Sequence, residues 1–158
     1  MASSGAGTER ASRVEAIAAA HLEAGALLPV LHEVQAAFGW IDDADVPVIA
    51  HVLNLSRAEV HGVVTFYHDF RRTPAGRHVV KLCRAESCQA RGGRAVEAAA
   101  VLRLGVAMGG TRGDGAVTLE PVYCLGLCAI GPAALVDGAP VARLDAAGLE
   151  RIAARVAA

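Results

Sequence analysis

Residues 79–93, "VVKLCRAESCQARGG", end a valine-rich run on Cys83 and place Cys88 five positions later. A short run of β-branched residues that stops at a polar stretch predicts a strand, and the alanine-rich residues beyond predict a helix. Residues 120–132, "EPVYCLGLCAIGP", repeat the arrangement with Cys124 and Cys128. These four are all the cysteines in the chain. Whether these cysteines form disulfides, bind a metal or cluster, or act as a redox-active dithiol decides both the fold and the function.

Composition limits the classes of protein to consider. The net charge of −1 and the lack of a basic block give no electrostatic footprint for nucleic acid. The longest uncharged stretch, residues 121–136, is too short to span a bilayer, and the N-terminus lacks the apolar core of a secretory signal. We therefore expect a soluble, cytoplasmic protein that binds neither nucleic acid nor membrane. Cysteines in a reducing compartment are more often metal ligands than disulfides.

The first half of the chain is predicted to be helical. We expect a disordered leader over residues 1–10 and a helical bundle over residues 11–72, whose alanine-rich faces are candidates for docking a partner. In "LLPVLHEVQAAFG", Pro29 suits the first turn of a helix and Gly39 its end. Ser56 and Glu59 have the spacing of a capping box, which predicts the start of a fourth helix.

The second half, residues 73–158, has a different pattern. It predicts a strand that ends at Cys83, a helix from Gln89 to Leu104, a strand near Val117–Tyr123 and a final helix from Asp145. Asp137-Gly138 supplies the turn of a hairpin before that last helix. The order strand, helix, strand, strand, helix fits a thioredoxin-like α/β domain with a mixed sheet. The predicted fold class is thus α+β, a helical bundle followed by that domain.

Three kinds of site could use the cysteines. A dithiol oxidoreductase needs C-x-x-C at a helix start, whereas the spacings here are C-x4-C and C-x3-C. A structural zinc ion tolerates two such pairs. A [2Fe–2S] cluster needs two thiolates per iron, and a pair on each of two loops meets that need. The absence of histidine from both motifs excludes a Rieske centre, so zinc and a four-cysteine cluster stay open on the residues alone.

The surroundings of the cysteines suit an anionic cluster. Gly126, between Cys124 and Cys128, allows the backbone to wrap closely and aim N–H groups at sulfur. Arg84, Arg91 and the N-terminal end of the helix after Cys88 are expected to add positive potential. No nucleophile–base constellation stands out, so the chain alone is expected to make or break no bonds.

The spacing C-x4-C, 35 residues, C-x3-C, together with "GVVTFY", resembles the thioredoxin-like [2Fe–2S] ferredoxin family. That family includes the small iron–sulfur subunit of the NADH-oxidising module of respiratory complex I and matching subunits of NAD-linked hydrogenases and formate dehydrogenases. The resemblance implies one [2Fe–2S] cluster, held by Cys83, Cys88, Cys124 and Cys128. It also implies a non-catalytic electron-transfer subunit, which exchanges single electrons with a flavin-bearing partner.

Within the family, "TFYHDFR", "CRAESCQA" and "VYCLGLCA" most resemble the gamma subunit of molybdenum-containing, NAD-dependent formate dehydrogenase. That resemblance implies a beta subunit that binds FMN and NAD, and a catalytic alpha subunit with the molybdenum cofactor. The assembly converts formate and NAD⁺ to carbon dioxide and NADH. The alternatives are the equivalent subunit of complex I or of an NAD-linked hydrogenase and, from another class, a zinc-stabilised interaction module.

Overall fold

The computed structural model describes residues 3–157 and divides the chain into two compact units, with the boundary between Pro74 and Ala75. That boundary lies two residues after the predicted one. The helices are α1 (Ser3–Ala19), α2 (Leu27–Phe38), α3 (Asp45–Val52), α4 (Arg57–Phe66), α5 (Glu86–Ala90), α6 (Gly93–Leu104) and α7 (Ala146–Ala157). The strands are β1 (His78–Cys83), β2 (Gly110–Thr111), β3 (Val117–Val122), β4 (Ala134–Val136) and β5 (Ala139–Val141). No helix within residues 3–157 is both long and apolar enough to cross a membrane.

The first unit is a bundle of four helices, α1 to α4, around one apolar core. Local signals fix several helix ends: Gly39 has φ +81 after α2, and the Ser56 hydroxyl and Glu59 carboxylate form the predicted capping box of α4. The fully buried core includes Val14, Val30, Leu31, Val34, Ile49 and Val60. These residues recur at helical spacing, so each helix turns one apolar face inward.

Helix α1 begins earlier than the sequence suggested. Residues 3–10, expected to belong to a disordered leader, are helical, whereas residues 1–2 lie outside the described part of the chain. The reason is a tertiary contact at Arg10, whose guanidinium binds both carboxylate oxygens of buried Asp45, at 2.9 and 2.6 Å. A helix that makes such a contact is stabilised beyond what its small and polar residues favour locally.

The second unit is a five-stranded mixed sheet covered by helices. The strand order is β2-β3-β1-β4-β5, and β1 runs parallel to β3 and antiparallel to β4. Helices α6 and α7 supply Val96, Leu104, Leu149 and Ile152 to the core that also holds buried side chains of the strands. This architecture confirms the α+β fold class with a thioredoxin-like domain.

Two details of this unit differ from the sequence-based expectation, and one matches it. The helix expected over 89–104 is two helices, because Gly92 has φ +92 and turns the chain between α5 and α6. The glycine-rich loop before β3 holds a short extra strand, β2, which pairs with β3. The hairpin between β4 and β5 is as predicted: Asp137 and Gly138 have φ +52 and +81, the signature of a type I′ turn.

Candidate metal centre

All four cysteines lie at one edge of the sheet. Strands β1 and β3 are parallel and in register, with Cys83 opposite Val122, so their carboxyl ends meet at the same edge. The Arg84 N–H donates to the Val122 carbonyl at 2.8 Å and extends this pairing past the strand end. Cys124 follows two residues after β3, which is why residues far apart in sequence come together.

The remaining two cysteines come from short helical segments. Helix α5 carries Cys88, and a 3-10 helix over Cys128–Ile130 begins on Cys128. The Ser87 hydroxyl donates to the Cys128 carbonyl at 3.2 Å, and backbone N–H groups of Cys124 and Leu125 donate to the Cys83 sulfur, so the two loops face each other. The structure therefore brings together every cysteine that the sequence predicted as a ligand.

The sulfurs are arranged in two pairs. All four thiols are free; Cys83 and Cys88 are buried and hydrogen-bonded to each other, whereas Cys124 and Cys128 are exposed. The Cys124 and Cys128 Sγ atoms lie 3.8 Å apart. Two thiolates on one tetrahedral metal ion, with metal–sulfur bonds of about 2.3 Å, are separated by about 3.8 Å. Among the described residues, no three or more histidine, cysteine, aspartate or glutamate side chains are grouped to hold a single ion.

The Cys83 sulfur accepts hydrogen bonds from the backbone. Its burial opposes the thiolate, but the N–H groups of Ala85, Cys124 and Leu125 and the thiol of Cys88 donate to it, so the pKa of Cys83 is lowered. Two of these donors belong to the opposite loop. The second loop thus stabilises negative charge on a sulfur of the first loop.

Cys88 is also buried, and its sulfur has fewer backbone donors than that of Cys83. Burial and the neighbouring Cys83 raise the pKa of Cys88, which leaves Cys83 as the preferred thiolate of this pair in the free protein. The backbone N–H of Ala133 donates to the Cys88 sulfur and partly offsets these effects. The backbone of Gly131 also lies close to this sulfur, since a Cβ built on Gly131 would lie 3.1 Å from Cys88 Sγ.

The second loop has an unusual backbone. Cys124 and Gly126 have φ +79 and +75, so the chain turns twice within three residues. This is the wrapping that was expected of Gly126, and it brings the Cys124 and Leu125 N–H groups to Cys83. The neighbouring thiol of Cys124 raises the pKa of Cys128, and the Ser87 hydroxyl opposes that effect. The same hydroxyl donates to the Cys128 carbonyl at 3.2 Å and ties the two loops together.

Two of the groups expected to add positive potential, Arg84 and the helix after Cys88, are placed by the structure as follows. The Arg84 guanidinium is paired with Glu97 at 2.9 Å, so its charge is partly neutralised. Cys88 lies within α5 rather than before a long helix, and the next helix, α6, begins only at Gly93. Backbone N–H groups, not arginine side chains, are therefore the main donors toward the sulfurs.

Sequence reasoning identified the four cysteines and Gly126 but missed Ser87, Gly131 and Ala133. Of these, only Gly131 carried a local signal, as the glycine of "AIGP" after the last cysteine. The donor set fits a [2Fe–2S] cluster: two thiol pairs, one from each loop, with N–H groups aimed at sulfur.

Comparisons with known proteins identify the family of this chain. The profile of the family described as thioredoxin-like [2Fe-2S] ferredoxin matches residues 14–157. The E subunit of NADH-quinone oxidoreductase from Pseudomonas aeruginosa PAO1 is 38% identical over 112 residues, which are 71% of this chain and 68% of that protein. The corresponding protein of Escherichia coli K12 has the same identity and coverage.

A structural likeness supports the fold. An NAD⁺-reducing [NiFe]-hydrogenase in its air-oxidised state superposes with a TM-score of 0.73 over 84% of this chain, at 24% sequence identity. Its H2-reduced state gives a TM-score of 0.74 over 86%. This chain spans only 23% of the hydrogenase chain in each case. The match over nearly all of the described residues and the identity to two curated relatives lead to one conclusion: the chain belongs to the thioredoxin-like [2Fe-2S] ferredoxin family.

Proposed function

We propose that this chain is the electron-transfer subunit of an NAD-linked oxidoreductase complex and holds one [2Fe–2S] cluster through Cys83, Cys88, Cys124 and Cys128. The observation that carries the proposal is the meeting of two thiol pairs, one per loop, at a single sheet edge. Such a cluster, when bound, accepts and releases one electron at a time.

The protein's own groups are suited to that task. The buried pair, Cys83 and Cys88, anchors one side, and the exposed pair, Cys124 and Cys128, leaves the other side open to a partner. The Ala85, Cys124, Leu125 and Ala133 N–H groups point toward sulfur, where negative charge increases on reduction. Asymmetric burial of this kind lets electrons enter through the exposed loop while the other loop excludes water.

The relatives support an NADH-oxidising assembly. Two of them are E subunits of NADH-quinone oxidoreductase, at 38% identity. By this analogy the partner is a flavin-bearing subunit that binds FMN and NAD, and this chain contributes neither of those cofactors. We place the assembly in the cytoplasm, as the composition of the chain suggested.

A second candidate membership is NAD-dependent formate dehydrogenase. It rests on the motifs "TFYHDFR", "CRAESCQA" and "VYCLGLCA", which resemble the gamma subunit of that enzyme. Under this membership the electrons come from a catalytic alpha subunit that carries the molybdenum cofactor and oxidises formate. The electron-transfer role of this chain is the same in both assemblies.

The helical unit offers a surface for the flavin-bearing partner. A groove of about 1100 Å³ lies between the α1–α2 loop, the α3–α4 loop and α4, and Leu22, Phe66 and Tyr67 are exposed along it. Among the described residues, the lining of this groove includes the acidic Glu23 and Glu59 and contains no lysine, arginine or histidine. We assign to it an apolar segment of the partner that is flanked by basic residues.

The cluster is tested by anaerobic purification of the full chain. We expect a red-brown protein with about two irons and two acid-labile sulfides per chain and a rhombic signal on reduction. The matched control is the double variant Cys83→Ser/Cys124→Ser, which removes one ligand from each pair and should lose the iron. A colourless wild-type protein that contains zinc and no sulfide would instead establish the zinc-stabilised module.

The membership is tested on the native complex. Affinity-tagged chain is isolated from its own cells, and the complex is assayed for molybdenum and for NAD⁺ reduction by formate or by hydrogen. Formate-dependent NADH formation with molybdenum present supports formate dehydrogenase. NADH-dependent quinone reduction without molybdenum supports a complex I module, and hydrogen-dependent NADH formation supports a hydrogenase.

The docking groove is tested by substitution of Phe66. Phe66→Ser should weaken recovery of the partner, whereas Leu102→Ser, on the other unit and 82% exposed, should not.

A further inference from the structure

The backbone conformation of Gly131 does not require a glycine. Its φ of −68 and ψ of +168 are extended values that any residue before a proline adopts. By contrast, Gly126 has φ +75 and no atom within 4 Å of its missing Cβ, so its backbone conformation explains it. A different cause must account for the missing side chain at Gly131.

That cause is the sulfur of Cys88. A Cβ on Gly131 would lie 3.1 Å from Cys88 Sγ, 3.7 Å from Cys88 Cα and 3.7 Å from Arg91 Cδ. The two 3.7 Å separations are ordinary van der Waals contacts, whereas 3.1 Å to sulfur is too short. The single close contact is therefore with the ligand atom, which the methyl group of an alanine would displace by a few tenths of an ångström.

The residues after Gly131 hold both members of the buried pair. The Ala133 N–H donates to the Cys88 sulfur, and the Ala133 carbonyl accepts a hydrogen bond from the Cys83 N–H at 3.0 Å. Ala133 is only 1% exposed, so these hydrogen bonds do not compete with water. The segment 131–133 also follows the 3-10 helix that begins on Cys128. It is the covalent link between the exposed pair and the contacts that fix the buried pair.

We propose that segment 131–133 couples the two halves of the site, with Gly131 as a positioning residue that keeps Cys88 Sγ within reach of the Ala133 N–H. The proposal rests on the function proposed above, since it concerns the cluster that this sulfur would hold. The effect is steric: the position of Cys88 Sγ depends on the absence of a methyl group at Gly131.

The test compares Gly131→Ala with Gly113→Ala in the full, cluster-loaded chain. Gly113 is a matched control, because its Cβ would meet no atom within 4 Å and its φ lies outside the left-handed region. Displacing Cys88 Sγ lengthens the hydrogen bond from Ala133, and a weaker N–H donor stabilises the reduced, more negative state less. We expect Gly131→Ala to lower the midpoint potential, to shift the g-values of the reduced protein and to release iron to a chelator about 3- to 10-fold faster.

A second measurement covers the case in which Gly131→Ala does not retain iron. The main core of the unit, formed by the strands with α6 and α7, excludes all four cysteines, so the cluster-free chain is expected to fold. In that state, Gly131→Ala should lower the thermal midpoint by about 5 °C when Cys88 is present. In a Cys88→Ala background the sulfur is absent, and the same substitution should have almost no effect.

The outcomes are decisive in both directions. A lower potential with faster iron release, or a non-additive pair of substitutions, supports the proposal. Unchanged potential and release rate in Gly131→Ala, or loss of iron with fully additive stability effects, overturns it. If the wild-type chain binds zinc, the proposed function fails, but the cluster-free comparison still tests the steric contact on its own.

Discussion

The contact between Arg10 and Asp45 is expected to be a major source of stability in the helical unit. The Asp45 side chain is 2% exposed, and its oxygens accept two hydrogen bonds from Arg10, at 2.9 and 2.6 Å. Arg10 also donates to the Trp40 carbonyl at 2.9 Å and lies over the rings of Phe38 and Trp40, at 4.3 and 4.8 Å. We therefore predict that Arg10→Ala strongly destabilises this unit.

The size of the effect follows from what remains after the substitution. Asp45 would keep the hydrogen bond from the Asp42 N–H but would be a buried carboxylate without its cation. Removing one partner of a buried ion pair typically destabilises a protein by about 3–5 kcal/mol. The Arg10 side chain is 18% exposed, so the opening left behind admits some water and favours the low end, about 3 kcal/mol.

Trp40 provides the assay. It is the only tryptophan of the chain, so its fluorescence reports unfolding of the helical unit alone. For a unit of this size the urea slope is about 1 kcal/mol per molar, and the midpoint of Arg10→Ala should fall by about 3 M. Arg13→Ala is the matched control: it lies on the same helix, its guanidinium is 5.8 Å from the Phe38 ring, and we expect a loss below about 0.5 kcal/mol.

Two results would refute this reasoning. A loss of less than about 1 kcal/mol in Arg10→Ala would mean that water replaces the guanidinium at little cost. The second result concerns the double variant Arg10→Met/Asp45→Leu, which removes both charges. It should recover much of the stability, because no buried charge is left unpaired. If it is no more stable than Arg10→Ala, packing by the arginine stem, and not the ion pair, dominates.

Three further predictions concern single groups. Cys124→Ser should abolish the iron content of the anaerobically purified chain while its far-UV circular dichroism stays native, since this side chain is exposed; a bound cluster of normal potential would contradict the assignment. Burial opposes ionisation of Asp137, but the hydrogen bond from His78 contributes to a lowered pKa. Its stabilising effect is therefore full above about pH 4 and is lost as the pH falls through the lowered value, so Asp137→Asn should flatten the acid side of a thermal-midpoint profile. Ser56→Ala removes the cap of α4 and should cost about 1 kcal/mol in urea unfolding, unlike Ser56→Asn, which can still cap.

Elements controlled by local chemistry were predicted well. Gly39 ends α2 in the left-handed conformation that the sequence indicated, and Asp137-Gly138 forms its tight turn. Ser56 caps α4 through Glu59, as its spacing predicted. In each case the decisive atoms lie within four residues of one another, so the pattern in the sequence contains the whole interaction.

Elements that depend on distant partners were predicted less well. Helix α1 extends through residues expected to be a leader because Arg10 binds Asp45, 35 positions away. This contact leaves no periodic signal, because it involves one pair of residues and not a repeating face.

The candidate site was likewise predictable only in part: its cysteines can be identified from the sequence, but its backbone donors cannot. Thiolate ligands must be cysteines, so the sequence alone was enough to name the four candidate ligands. The groups that stabilise charge on those sulfurs are backbone N–H groups of Ala85, Leu125 and Ala133, which nearly any residue could supply. Sequence can therefore predict which cluster type a family binds more readily than it can predict the reduction potential. Gly131 is the exception. At this position the backbone lies so close to Cys88 Sγ that a side chain would be too near, and the resulting glycine is visible in the sequence.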